Sequence, residues 1–199
     1  MTFSIELVYF LFSIYITVFI STVMHELGHY IAARLLGYKP KYFIIGTRAP
    51  VLNKLNSLIS FKLNNTNISI NPLGLGGLVD LDSYIKNVSC FKIKIMCFSG
   101  PLMNFILFYI SFLFAMYYYG YDDKFSNIYL DVFMACNFFM FILNLYPSKK
   151  SDGWYILNIS DEVKDGLFVE TIAKEKIINI VSLNYYKKII NKPTPLYFI

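Results

Sequence analysis

The stretch FSIELVYFLFSIYITVFISTVMHELGHYIAARLL, Phe3 to Leu36, decides how the rest of the chain is read. Up to Met24 its only charge is Glu6, and the apolar pattern then runs on through His25-Glu26-Leu27-Gly28-His29 to Leu36. This predicts one long helix over 3–36. At a rise of 1.5 Å per residue about 34 residues extend roughly 51 Å, against a hydrocarbon core of ~30 Å, so a spanning helix must project or tilt. Gly37 is the expected stop, with Pro40 behind it. No basic segment precedes the run and no small-residue cleavage site follows it, so we expect it to be retained rather than removed as a signal peptide.

The rest of the composition agrees with a membrane environment. Of 199 residues, 56% are hydrophobic and 16% charged, and the mean hydropathy is +0.50. That excludes a disordered chain, and three cysteines, Cys90, Cys97 and Cys136, are too few for a disulfide scaffold. They lack zinc or redox spacing and read as small buried residues. Two further apolar stretches, 101–119 and 128–146, are long enough to span. The net charge of +5 raises the question of nucleic acid. However, nine Lys and Arg lie between Arg34 and Lys94, eight follow from Lys149 onward, and only Lys124 falls between the second and third spans. The positive-inside rule places the first two groups in the cytoplasm and the N-terminus outside, so the charge is explained by topology and no nucleic-acid partner is expected.

Between the first two spans, residues 41–81 have strand-like composition, with a turn at Asn64-Asn65-Thr66-Asn67 and a glycine-rich end at Gly74-Leu75-Gly76-Gly77. We expect a small β-region at the cytoplasmic face, associated with the membrane and packed on protein. Apolar positions from Phe168 to Ile190 follow helical spacing and predict a C-terminal amphipathic helix within a cytoplasmic region of about 154–199. The fold class is therefore a polytopic α-helical membrane protein, with about three transmembrane helices, and residues 1–199 read as a single membrane-embedded domain.

Both histidines of the chain lie in His25-Glu26-Leu27-Gly28-His29. A four-residue step puts both imidazoles on one helix face, where they can share a tetrahedral Zn2+, and Glu26 beside them is placed to act as general base. A pair of satisfied buried polar residues is the bland alternative, but three ionisable groups on a membrane helix are costly without a function. A catalytic zinc needs a third protein ligand and an open fourth position. With no other histidine, that ligand should be a carboxylate. Asp80, Asp82, Asp152, Asp161, Glu162 and Asp165 lie on the right side of the membrane, whereas Asp131 lies near the outer end of its span. Asp152 is best placed, after the Pro147 break and beside Gly153, and Asp80 is the runner-up.

These features resemble the site-2 proteases, a family of intramembrane zinc metalloproteases. Four elements match in order: the His25 to His29 motif with Tyr30 to Gly37; Ile45-Gly46 through Pro72 to Val79; Gly100-Pro101-Leu102-Met103-Asn104; and Asn144-Leu145-Tyr146-Pro147-Ser148-Lys149-Lys150-Ser151-Asp152-Gly153. The resemblance covers about Phe3 to Leu157. It implies Asp152 as the third ligand, Asn104 and Asn144 as shaping the site or positioning substrate, and Gly76 and Gly77 as a loop holding an extended substrate. Ser148-Lys149-Lys150-Ser151 departs from the apolar or proline residues usual there, which implies a site more open to the cytoplasm. No segment is long enough for an added regulatory domain.

The expected activity is hydrolysis of peptide bonds in transmembrane or membrane-anchored substrates, with the lipid bilayer as the other partner. A non-catalytic metal-binding scaffold or chaperone is the alternative, and a metal transporter is poorly supplied with ligands in its spans. Lys over Arg, with abundant Ile, Asn and Tyr, fits an AT-rich bacterial genome and hence a bacterial cytoplasmic membrane.

Overall fold

The computed structural model describes residues 2–46, 59–72, 76–79, 89–119, 127–148 and 151–160. Its helices are α1 (Thr2–Leu35), α2 (Cys90–Tyr119), α3 (Ile128–Leu145) and the short α4 (Asp152–Asn158). Strands β1 (Tyr42–Ile45), β2 (Ile59–Leu63), β3 (Thr66–Ile70) and β4 (Gly77–Val79) form one sheet in the order β2-β3-β1-β4. The first three helices are long and apolar enough to cross a membrane. The expected C-terminal amphipathic helix lies outside the described residues.

α1 ends as the sequence predicts. Gly37, at φ +89, takes the left-handed position that only glycine adopts cheaply. Its N–H bonds the Arg34 carbonyl and that of Tyr38 bonds Ala33, which closes the helix in a Schellman motif. The two halves of α1 differ. Ile5, Leu7, Val8, Leu11 and Phe12 are exposed, as suits side chains facing lipid, whereas Thr17, Ser21, His25, Glu26, His29, Ala32 and Ala33 are buried.

What they are buried against explains a difference from the sequence reading. The second span was expected to begin at Pro101, but α2 starts at Cys90 and carries Pro101 inside it. Proline removes the N–H that would bond the carbonyl of residue 97, a cost of about 3 kcal/mol in an unsupported helix interior. Tertiary packing carries the helix through: Ile93, Met96 and Cys97, spaced i, i+3, i+4, form an apolar core with Ala32, Ala33 and Ile159. Lys92 and Lys94 disguise this amphipathic turn in the sequence. Of the cysteines, Cys97 is buried as expected, and Cys90 and Cys136 are partly exposed.

The β2–β3 hairpin turns through Asn64 and Asn65, both at positive φ (46 and 70), the pattern of a two-residue turn matched to strand twist. β1 pairs in parallel with β3 and antiparallel with β4. The register puts Phe43 opposite Val79 and Ile45 opposite Gly77, on one face. That face meets α1: the Phe43 ring stands edge-on to Tyr30 at 5.7 Å, and Gly77 lies against Glu26.

Candidate metal centre

The site is assembled where the buried half of α1 meets α2, α4 and the sheet. A four-residue period stacks His25 on His29, and their rings stand edge to face with centroids 4.8 Å apart. Glu26 and Tyr30 share the neighbouring face, toward β1 and β4.

Asp152 arrives from the other end of the chain through a tight corner. After α3 ends, the Ser151 hydroxyl donates to the Tyr146 carbonyl (2.7 Å) and accepts from the Trp154 N–H (3.1 Å), so one side chain ties off α3 and caps α4. Asp152 is the first residue of α4. Gly153 behind it packs on the Leu145 carbonyl, where a Cβ would overlap. Gly153 thus serves close approach, as expected, but to the end of α3.

The three candidate ligand atoms converge. Asp152 Oδ2 is 3.1 Å from His25 Nε2 and 3.4 Å from His29 Nε2, and the two Nε2 atoms are 3.1 Å apart. Ligands about 2.0–2.1 Å from a tetrahedral zinc stand about 3.3 Å from one another, so the observed triangle has the size of one face of that polyhedron. Gly100 makes room for it: a Cβ there would come within 2.8 Å of His25 Nε2 and closer still to His29 Nε2.

The hydrogen bonds at the back of each ring set what the front offers. His29 Nδ1 donates to the Met96 carbonyl (2.7 Å), which can only accept. His25 Nδ1 is 2.7 Å from Asn104 Oδ1. The Asn104 amide is oriented by its own Nδ2, which donates to the Ser21 carbonyl (3.1 Å) and to Asn137 Oδ1 (3.2 Å). Both neutral rings therefore carry their proton on Nδ1 and turn the Nε2 lone pair toward the carboxylate. Three acceptors facing one another need a cation between them, and the donor set suits zinc.

Glu26 is buried beside this triangle, with its carboxylate against the Gly77 backbone, where a Cβ would lie 2.8 Å from Oε1. Gly76, at φ +85, accepts the Gly46 N–H at 2.7 Å and turns the chain into β4. Asn104 is fully buried at His25. Asn144 donates its amide to the Met140 carbonyl of its own helix. Asp80 and the acidic candidates 82, 161, 162 and 165 lie outside the described residues. Among the described residues, His25, His29 and Asp152 form the one cluster able to hold a metal ion. Sequence reasoning missed Asn137, Met96 and the packing role of Gly100. An asparagine in an apolar span was the available signal for the first; the other two depend on tertiary contact.

Fold and site together define a helical protein with three potential membrane spans and a His-His-carboxylate cluster able to hold a metal ion, next to a buried glutamate. The model of peptidase family M50 matches residues 12–130, and the chain belongs to that family, the site-2 proteases. The match ends before Asp152, which the geometry supplies. A Borreliella burgdorferi protein provisionally named a zinc metalloprotease is 28% identical over 77% of this chain. A Campylobacter jejuni protein, provisionally named likewise, is 38% identical over 42% of it. The chain spans 36% of the first relative and 24% of the second.

Proposed function

We propose that this protein is an intramembrane zinc metalloendopeptidase that hydrolyses peptide bonds of membrane-embedded or membrane-anchored substrates. The observation that carries this reading is the convergence of His25 Nε2, His29 Nε2 and Asp152 Oδ2 within 3.1–3.4 Å of one another, with Glu26 buried alongside. Family membership supports the peptidase chemistry, and the position of His25 in an apolar helix supports the membrane setting.

His25, His29 and Asp152 would hold the metal. Bound zinc supplies Lewis-acid activation of water and of the scissile carbonyl. Glu26 accepts the proton of the attacking water on its carboxylate and returns it to the leaving amide nitrogen. A substrate helix must unwind before its backbone is open to attack. β4 is an edge strand lying over Glu26 and offers the freed segment backbone pairing, with Gly76 and Gly77 keeping side chains out of the way. Asn144 contacts the substrate in this reading, and Asn104 keeps His25 aimed. The distribution of Lys and Arg supports a cytoplasmic-membrane protein with its N-terminus outside and the site toward the cytoplasm.

The test begins with zinc content in detergent-purified protein. Wild type and Asp80→Ala should hold about one zinc per chain and Asp152→Ala much less. Glu26→Gln should keep the metal and lose cleavage of a fluorogenic transmembrane peptide in vesicles. Cleavage retained by Glu26→Gln would remove the general-base role, and a wild type unable to bind zinc while folded would remove the whole reading.

A further inference from the structure

A buried chain of hydrogen bonds leads from the metal centre across two helices to a residue outside every motif quoted above. Asn137 lies in α3, fully buried, seven residues before Asn144. Its Nδ2 donates to the Phe133 carbonyl at 2.9 Å, one turn back in its own helix. Since that carbonyl can only accept, the Asn137 amide has one orientation, with Oδ1 toward Asn104. Asn104 Nδ2 donates to that oxygen at 3.2 Å, and Asn104 Oδ1 in turn faces His25 Nδ1 at 2.7 Å. Each amide is held by the next, from the α3 backbone to the imidazole.

We propose that Asn137 is a positioning residue for the metal centre: acting through Asn104, it locks His25 in the Nδ1–H form and so presents the Nε2 lone pair to the metal. The proposal rests on the zinc-centre reading. The Ser21 carbonyl also accepts from Asn104 Nδ2, at 3.1 Å. It holds one of the two amide protons, however, and the second has Asn137 Oδ1 as its acceptor. With an apolar residue at 137, that second N–H is buried without a partner. Turning the Asn104 amide over would bring its Oδ1 against the Ser21 carbonyl and its Nδ2 against His25, and the ring would then have to accept on Nδ1 and carry its proton on Nε2. That form cannot ligate through Nε2. Asn137 therefore favours the ligating tautomer, because in the alternative amide orientation the Asn104 oxygen would face the Asn137 and Ser21 oxygens with no donor. His29 is secured separately, by the Met96 carbonyl, and is outside the relay.

The chain holds two histidines, so ¹⁵N-histidine labelling gives four ring-nitrogen signals and reads each tautomer directly. The full-length protein would be studied metal-free in detergent, at a pH well above imidazole titration. Wild type should show both rings as Nδ1–H. Asn137→Leu should move one ring, His25, into a mixture with the Nε2–H form and leave His29 unchanged. Asn137→Thr, whose hydroxyl can donate to the Phe133 carbonyl one turn back and offer its oxygen to Asn104, should restore part of the wild-type pattern. Zinc affinity, measured by chelator competition, should fall about 10-fold in Asn137→Leu and recover in part in Asn137→Thr. A His25 signal unaffected by Asn137→Leu, or both rings shifting together as general loosening would cause, overturns the proposal. If the leucine variant does not fold, wild type still decides, because His25 found as Nε2–H contradicts the relay. Wild type with both rings Nδ1–H but no affinity for zinc would overturn the metal reading and leave the hydrogen-bond relay standing.

Discussion

Gly100 carries no functional group, yet both imidazoles depend on it. Its missing side chain is the space in which the His25 and His29 Nε2 atoms meet, so Gly100→Ala should displace both ligands. We expect zinc affinity to fall about 10-fold or more while the helices remain folded, measured by chelator competition beside circular dichroism; unchanged affinity would mean the pair can shift without loss. This scale is also where the sequence was most and least informative. His25, Glu26 and His29 were legible because a local period of four residues is all their geometry requires. Asp152 was legible as the best placed of six acidic candidates, after the Pro147 break and beside Gly153, and as the third ligand that the family resemblance implies. Asn137 was not, because its polarity within an apolar span marks it as unusual while its role is a contact made from another helix.

At the level of elements, the corner between α3 and α4 determines where the third ligand stands. The Ser151 hydroxyl donates to the Tyr146 carbonyl at the C-cap of α3 and accepts the Trp154 N–H in the first turn of α4, so Ser151→Ala should cost about 1 kcal/mol and weaken zinc binding as well. Ser151→Asp keeps the cap acceptor and should retain part of the stability; the two variants are compared by thermal unfolding in detergent with and without zinc. Equal behaviour of both variants and wild type would deny the corner its role. The polar Ser148 to Ser151 segment, an oddity beside the family pattern, thus supplies a helix cap. Helix ends and the hairpin were readable from the chain because glycine and asparagine state their own backbone preferences, as Gly37, Asn64 and Asn65 do. The true start of α2 was hidden, since Lys92, Lys94 and Pro101 argue against a helix and only the packing of Ile93, Met96 and Cys97 outweighs them.

For the whole molecule, a metal held by His25, His29 and Asp152 would cross-link parts of the chain more than a hundred residues apart. A ligand that binds only the folded state stabilises it by mass action, by about 2.7 kcal/mol at a concentration of 100 Kd. Adding a chelator should therefore lower the melting temperature of wild type and leave that of Asp152→Ala unchanged. Acid should weaken the link too. A carboxyl ordinarily ionises well below an imidazole, so protons compete for the site first through the imidazoles, and affinity should fall as pH drops from neutral. Zinc affinity independent of pH across that range would contradict imidazole ligation. The length of α1 has one more consequence. Its 34 residues exceed the thickness of an ordinary bilayer, and among the described residues it is the half bearing His25 and His29 that is buried against the other elements. In a bilayer such a helix would tilt to hide its excess length, and the tilt would set the depth of His25 and His29. Acyl-chain length then acts as a tuning screw on solvent access: a water-soluble chelator should strip zinc at different rates from protein reconstituted in short-chain and long-chain lipids.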